Sequence, residues 1–210
     1  MTRERLAEAF PGGADQLCAL RHDSPFQLLT ATILSAQCTD VRVNLVTPAL
    51  FAAYPDPAAL TGADPRRVEE LIRTTGFFRS KARSLIGMAT AVEDRFGGEV
   101  PRELADLITI PGVGRKTGNV VRSVAYGLPG LPVDTHVLRL SGRLGLIDDL
   151  APAARADPVK VEHALNALVP PPERGVFSLR LILHGRATCT ARAPACGRCG
   201  LADFCPSAHQ

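Results

Sequence analysis

Tryptophan is absent from this 210-residue chain and aromatic residues make up 5% of it, so nothing in the composition suggests a further recognition module. Lysine is scarce too: of 24 basic residues, only Lys81, Lys116 and Lys160 are not arginine. No segment approaches the roughly 20 apolar residues of a membrane span. The N-terminus, MTRERLAEAFPGG, has no apolar stretch behind its charges, which leads to the expectation of a soluble cytoplasmic protein. There the six cysteines are not expected to form structural disulfides. Sustained apolar–polar alternation, internal repeats and low-complexity tracts are missing as well, so no sheet or repeat array competes with a helical reading.

What is present is helix after helix, in a chain 46% hydrophobic and long enough for one sizeable core or two small ones. In SPFQLLTATILSAQ, Ser24 reads as N-cap, Pro25 as a first-turn residue and Gln27 as a capping-box partner, with Phe26, Leu29, Thr30 and Ile33 at helical spacing. DPRRVEELIRTTG repeats the logic: Asp64 caps, Pro65 opens, Val68, Leu71 and Ile72 form the stripe, and Gly76 stops it. SKARSLIGMATAVEDRFGG offers Leu85, Ile86, Ala89, Val92 and Phe96, and DPVKVEHALNALVPPP offers Val161, Ala164, Leu165 and Leu168. Pro48, inside TDVRVNLVTPALFAAY, predicts a break, because proline removes a backbone donor and its ring clashes with the preceding turn.

Charge is unevenly spread. Ile110 to Arg143 sums to +4 and Arg174 to Gln210 to another +4, which leaves −5 for the remainder of a chain at +3. Two basic segments separated by the acidic DDLAPAARADPVKVE suggest a polyanion-facing side, with solubility as the alternative. Between the helical segments PRELADLI and RKTGNVVRSVAYG lies PGVG, where Gly112 and Gly114 are expected to free the backbone for a turn that presents N–H groups to an anion. Leu107, Ile108, Val120, Val121 and Val124 are in phase, so a helix-hairpin-helix is expected, a motif that grips the DNA backbone without reading sequence. Lys116 falls in the first turn of the second helix, where the positive end of the helix dipole and Arg115 both disfavour an ammonium. A lysine that sheds its proton is a nucleophile towards a sugar carbon, as arginine is not. A lysine that only contacts phosphate fits the turn equally well.

Asp134, in LPVDTHVLRLSGRLG, precedes a helix carrying Val137, Leu138 and Leu140 and reads as its N-cap. Facing a lysine, the same carboxylate can act as a base or stabilise a cationic sugar. The tail, CTARAPACGRCGLADFC, spaces Cys189, Cys196, Cys199 and Cys205 with six, two and five residues between them. Only Cys196 and Cys199 make a close pair of the zinc type, so the spacing favours an iron–sulfur cubane, with zinc as the alternative. Arg186, Arg192 and Arg198 flank the cysteines, which suits either a phosphate-docking loop or neutralisation of thiolates.

Hairpin, lysine, aspartate and cysteines follow one another in a set order. With SPFQLLTATILSAQCTD, PGVGRKTGNVV, VDTHVLRLSGRLG and LILHGR, the chain resembles the endonuclease III family of DNA base-excision glycosylases over essentially its whole length. The resemblance implies an all-α, two-lobed helix-hairpin-helix DNA glycosylase fold with the DNA between the lobes. Residues 21–128 would form a six-helix barrel domain with the hairpin at about 104–127, and residues 1–20 with 129–210 an iron–sulfur cluster domain built from both termini. It implies a [4Fe–4S] cluster on the four cysteines. It also implies a cytoplasmic, nucleoid-associated monomer whose partner is double-stranded DNA containing oxidised pyrimidines or abasic sites, with no membrane.

The implied activity is that of a bifunctional N-glycosylase and AP lyase. The target nucleotide is flipped from the stack, Lys116 attacks C1′ and displaces the base to form a Schiff base, Asp134 assists, and β-elimination cleaves the 3′ phosphodiester. DNA contacts are implied for Gln37, Phe77, Gly112, Gly114, Arg115 and Arg192. Gln37 matches the residue that fills the gap left by the flipped nucleotide, and Phe77 stands where relatives commonly carry a leucine wedge. Ser35, Asp40 and His136 are further pocket candidates, although His136 and His184 read by themselves as structural histidines. A monofunctional adenine-mismatch relative shares hairpin, aspartate and cluster but does not usually keep the lysine, and a non-catalytic DNA-binding or redox-sensing protein would bind without cleaving.

Overall fold

The computed structural model describes residues 1–147 and 155–208, so the acidic stretch from Asp148 to Ala154 lies outside the described residues. Among them, the helices in chain order are α1 (Thr2–Ala9), α2 (Ala14–Leu17), α3 (Pro25–Leu34), α4 (Asp40–Ala53), α5 (Pro57–Thr61), α6 (Pro65–Ile72), α7 (Phe78–Phe96), α8 (Leu104–Leu107), α9 (Arg115–Ala125), α10 (Thr135–Arg143), α11 (Pro158–Leu168) and α12 (Arg174–Ala187). The remaining regular elements are single 3-10 turns, and the fold is all-α. No described helix is long and apolar enough to cross a membrane.

Side-chain caps open six of the twelve described helices. Ser24 Oγ accepts from the Gln27 N–H at 3.2 Å, while Gln27 Oε1 accepts from the Asp23 N–H at 2.9 Å, a capping box whose return bond falls one residue early. Asp56, Asp64 and Asp157 cap α5, α6 and α11, each followed directly by a proline. A cap of this kind contributes about 1 kcal/mol. Gly97, at φ +63°, ends α7 in the left-handed region.

Three expectations need correction. Pro48 does not break its helix, since α4 is continuous through it. Pro48 itself is exposed and forfeits one ladder bond, while Val43, Val46, Thr47 and Leu50 are buried on either side and hold both halves to one core. Leu168 is 57% exposed, because the chain leaves α11 at Val169 and that residue takes the buried position instead. Ile108 is 44% exposed, and Ile110 and Val113 supply the buried apolar groups of the turn.

The chain divides into two compact units, one of residues 1–17 with 127–210 and the other of residues 18–126. In the first, Leu6 from α1 joins Val137 and Leu140 from α10, Leu165 from α11 and Leu181 from α12 in one core, with Cys189, Cys199 and Cys205 packed against it. Arg5 ties α1 to the tail by donating to the Gly200 carbonyl and the Asp203 carboxylate, each at 2.9 Å. In the second unit α7 packs on α3, α5 and α6, and α9 packs on α3 and α8. Leu28, Leu29, Leu34, Leu85, Met88 and Leu107 are fully buried there.

Candidate functional site

α8 comes close to α9 at Gly118, where an added Cβ would stand 2.7 Å from Leu104 Cδ1, the tip of a partly exposed side chain, and 3.5 Å from Leu107 Cβ. The turn between the two helices reverses at Gly112, φ +78°, where an added Cβ would meet Ser84 Cβ at 2.8 Å. Gly112→Ala therefore combines a left-handed alanine with a clash, at a cost of about 2 kcal/mol. In thermal melts it is expected to lower Tm by about 4–8 °C, and an unchanged Tm would show that the turn tolerates a side chain.

Gly114 does not share that role. At φ −89° and ψ 171° it is ordinary extended backbone, and a Cβ there would meet nothing within 4 Å. It is the N-cap of α9 and has no side-chain oxygen to offer the first turn. Backbone N–H groups at the positive end of a helix dipole form an anion site. Arg115, partly buried, and Lys116, exposed, lie in that first turn.

Asp134 caps α10 with one oxygen and orients a histidine with the other. Its Oδ1 accepts from the His136 N–H at 2.8 Å and the Val137 N–H at 2.9 Å, and Oδ2 lies 3.0 Å from His136 Nδ1. The carboxylate side chain is 16% exposed, which leaves it reachable from solvent. His136 backs onto α12 at Gly185, where an added Cβ would come within 3.1 Å of its ring.

Gln37 and Phe77 are the only non-glycine described residues with positive φ, at +52° and +47°. Gln37 lies in the turn after α3, and Phe77 precedes α7 with its ring 68% exposed. Backbone of this kind costs about 1–2 kcal/mol per bulky residue, and surroundings that hold it are a mark of functional turns. Ser35 Oγ bonds the Thr32 carbonyl at 2.8 Å and so closes α3, while Asp40 is the first residue of α4.

The four tail cysteines line one cavity of about 250 Å³, together with Arg143, His184 and Thr188 among others. No three His, Cys, Asp or Glu groups among the described residues approach closely enough to share a single ion. What the four thiols share is the space between them. Burial pushes the Cys199 thiol up, the Leu201 N–H pulls the other way, and Cys189, Cys205 and Cys196 add to the rise. Four thiolates lining one cavity need positive charge between them. The Arg143 guanidinium lies 3.3 Å from Cys189 Sγ, and His184 Nε2 lies 3.5 Å from Cys199 Sγ. Burial lowers the His184 pKa.

Sequence reasoning missed several supports. Arg143 also donates to the Thr190 and Ala191 carbonyls at 2.7 and 2.8 Å, and so shapes the loop that carries exposed Arg192. Arg139, one turn earlier on α10, donates to the Gly185 and Cys189 carbonyls at 3.0 Å. Their i,i+4 spacing on one helix was the available signal. Of the three arginines flanking the cysteines in sequence, Arg198 donates to the Ala187 carbonyl at 3.4 Å.

Two family models match the sequence. One, for the HhH-GPD superfamily base excision DNA repair protein, spans residues 30–171, and the other, for the iron–sulfur binding domain of endonuclease III, spans residues 189–205. Endonuclease III of Synechocystis sp. (strain ATCC 27184 / PCC 6803 / Kazusa) is 52% identical over 205 residues, covering 97% of this chain and 90% of the relative. Two solved structures, a non-covalent endonuclease III–DNA complex and a trapped endonuclease III–DNA covalent intermediate, each superpose with a TM-score of 0.89 at 39% identity. They cover 99% of this chain and 93% and 94% of theirs.

Proposed function

The chain belongs to the HhH-GPD superfamily of base excision DNA repair proteins and, within it, to the endonuclease III family; we propose that it excises oxidised pyrimidines and cleaves the resulting abasic site through a Schiff base on Lys116. It is a DNA glycosylase and abasic-site lyase that acts on lesion-bearing double-stranded DNA and carries an iron–sulfur cluster. The observation that carries the finer reading is an exposed lysine in the first turn of a helix whose N-cap is glycine, directly behind a phosphate-type turn.

As neutral amine, Lys116 forms a bond to C1′ of an extrahelical nucleotide. The C1′–N bond breaks, and the base leaves with that electron pair and takes up a proton. Nζ sheds a proton, its lone pair closes the C1′=N bond as the C1′–O4′ bond breaks, and O4′ takes up a proton, which leaves an open-chain iminium at C1′. Loss of a proton from C2′ sends its electron pair into a C2′–C3′ double bond and expels the 3′ phosphate, after which water frees the lysine. The α9 N–H groups behind Gly112 and Gly114, with Arg115, bind backbone phosphate and fix the register. Arg192 supplies a second phosphate contact. Gln37 fills the gap the extruded nucleotide leaves, Phe77 wedges against the opposite strand, and Ser35, Asp40 and His136 serve the pocket.

The Asp134 carboxylate stabilises positive charge as the base departs. Asp134→Asn keeps an N-cap of equal quality, so stability is expected to hold while single-turnover base release slows about a hundredfold. An unchanged rate would remove Asp134 from the chemistry.

The cluster is [4Fe–4S], held by Cys189, Cys196, Cys199 and Cys205. Four cysteines lining one cavity, with their six-, two- and five-residue spacing, support that reading. Its metal–thiolate bonds supply folding energy to the tail. The working location is the cytoplasm, at the nucleoid. Single-turnover assays on duplexes that each carry one oxidised pyrimidine test the substrate class, and excision confined to mismatched adenine would overturn it.

A further inference from the structure

Lys81 is a charged side chain that the chemistry above does not use, and it is 6% exposed. Its Nζ donates to the Leu34 carbonyl and to the Thr75 carbonyl, each at 2.8 Å. Both acceptors end a helical element: Leu34 is the last residue of α3, and Thr75 is the last of the 3-10 turn Arg73–Thr75. Carbonyls at such ends lack ladder partners, and the negative end of the dipole favours a cation there. Burial lowers the Lys81 pKa, with Cys38 acting in the opposite direction.

The placement of these two carbonyls is what gives Lys81 a role. Gln37 follows Leu34 by one short turn, Phe77 follows Thr75 across Gly76, and these two are the left-handed non-glycine residues of the described chain. Thr75 is itself buried, with Oγ1 bonded to the Ile72 carbonyl at 2.8 Å, so its carbonyl is anchored from the core side as well. One buried ammonium therefore fastens the bases of two turns that are distant in sequence. Without it two buried carbonyls lose their donor, and each turn is free to relax by itself towards ordinary backbone.

We propose that Lys81 is a positioning residue that holds the Gln37 and Phe77 turns in one register, so that the two side chains enter the duplex together. This rests on the reading above that both residues occupy DNA opened by nucleotide flipping. A lysine that merely satisfies the core would slow every substrate alike. A positioning lysine matters most where the duplex must be opened.

The test compares cluster-loaded wild type and Lys81→Met in single-turnover excision of one oxidised pyrimidine, either paired within a duplex or unpaired in a bulge. Lys81→Met is expected to slow the paired substrate about ten- to a hundredfold and the bulged one by less than about threefold, since small misplacement of contact groups carries costs of that size. Lys81→Arg, which keeps charge and donors, is expected to restore most of the paired rate. In a Gln37→Ala/Phe77→Ala background, Lys81→Met is expected to add nothing. Lys81→Gln provides the same comparison where the methionine variant loses its helical signal. Equal slowing on both substrates, or full additivity in that background, would overturn the proposal. So would unchanged excision by Lys81→Met while Gln37→Ala/Phe77→Ala is slowed. An unaffected Gln37→Ala/Phe77→Ala protein would instead overturn the reading of the two turns, and the proposal with it.

Discussion

Lys116→Gln is expected to reduce cleavage of an abasic duplex about a thousandfold or more, the scale set by loss of a covalent nucleophile. A glutamine amide cannot form an iminium, so neither base displacement by the side chain nor β-elimination through it remains. Affinity should change little, within about threefold, because the backbone N–H groups at the start of α9 and Arg115 are untouched and only one cation among several phosphate contacts is lost. Single-turnover cleavage of an end-labelled duplex, measured beside equilibrium binding in the same buffer, separates the two effects. Cleavage retained at the wild-type rate would make Lys116 a phosphate contact only. Parallel loss of cleavage and binding would point to damage in the hairpin.

The second large effect concerns the tail. Between Thr188 and Ala208 only Leu201 is fully buried, and the regular structure amounts to two single 3-10 turns, Cys196–Arg198 and Ala202–Phe204. So little apolar burial and so few backbone bonds cannot fold the segment unaided, and metal binding in sites of this kind supplies about 10 kcal/mol or more of apparent folding energy. Removal of iron, or Cys199→Ser, is therefore expected to bleach the visible absorbance and open residues 189–205 to limited proteolysis. The supports from Arg5, Arg139 and Arg143 reach the tail through backbone carbonyls, the Asp203 carboxylate and the Cys189 sulfur, so they shape a folded loop without replacing the metal. Unchanged protease resistance after complete iron loss would show that these contacts suffice. Stoichiometric zinc in anaerobically prepared protein would exclude the iron–sulfur centre.

Local signals in the sequence carried much of the fold. Ser24, Asp64 and Asp134 mark helix starts because a cap involves residues two or three positions apart, and Gly76 and Gly97 mark stops because only a few residues tolerate left-handed backbone. What stayed hidden is tertiary. Pro48 continues its helix because buried neighbours on both sides outweigh one lost bond. Ile108 and Leu168 satisfy a helical period yet face solvent, because each sits where its helix ends and the chain turns away. Gly112 and Gly114 look alike in sequence, and only the first requires positive φ.

For the site, residue type and order pointed to the hairpin lysine, the capping aspartate and the cysteine set, since each belongs to a short contiguous motif. The residues that hold those groups were not legible. Arg143 meets its partners in the tail across 46 to 48 residues, and Lys81 reaches Leu34 across 47. Nothing local announces the Lys81 contact, and for Arg143 the i,i+4 spacing from Arg139 marks a shared helix face but not its partners, because such groups are specified by the carbonyls that surround them and not by their neighbours in the chain.

The scarcity of lysine makes the decisive measurement simple to interpret, because Lys81 is buried and only Lys116 and Lys160 remain as side-chain amines. Wild-type protein is mixed with a duplex carrying an abasic site or an oxidised pyrimidine, reduced with borohydride, digested and sequenced by mass spectrometry. The expected result is a covalent DNA adduct on the peptide containing Lys116, absent from Lys116→Gln. An adduct on another amine, or none from wild type that binds the duplex tightly with its cluster intact, would contradict the assignment of Lys116 as the nucleophile.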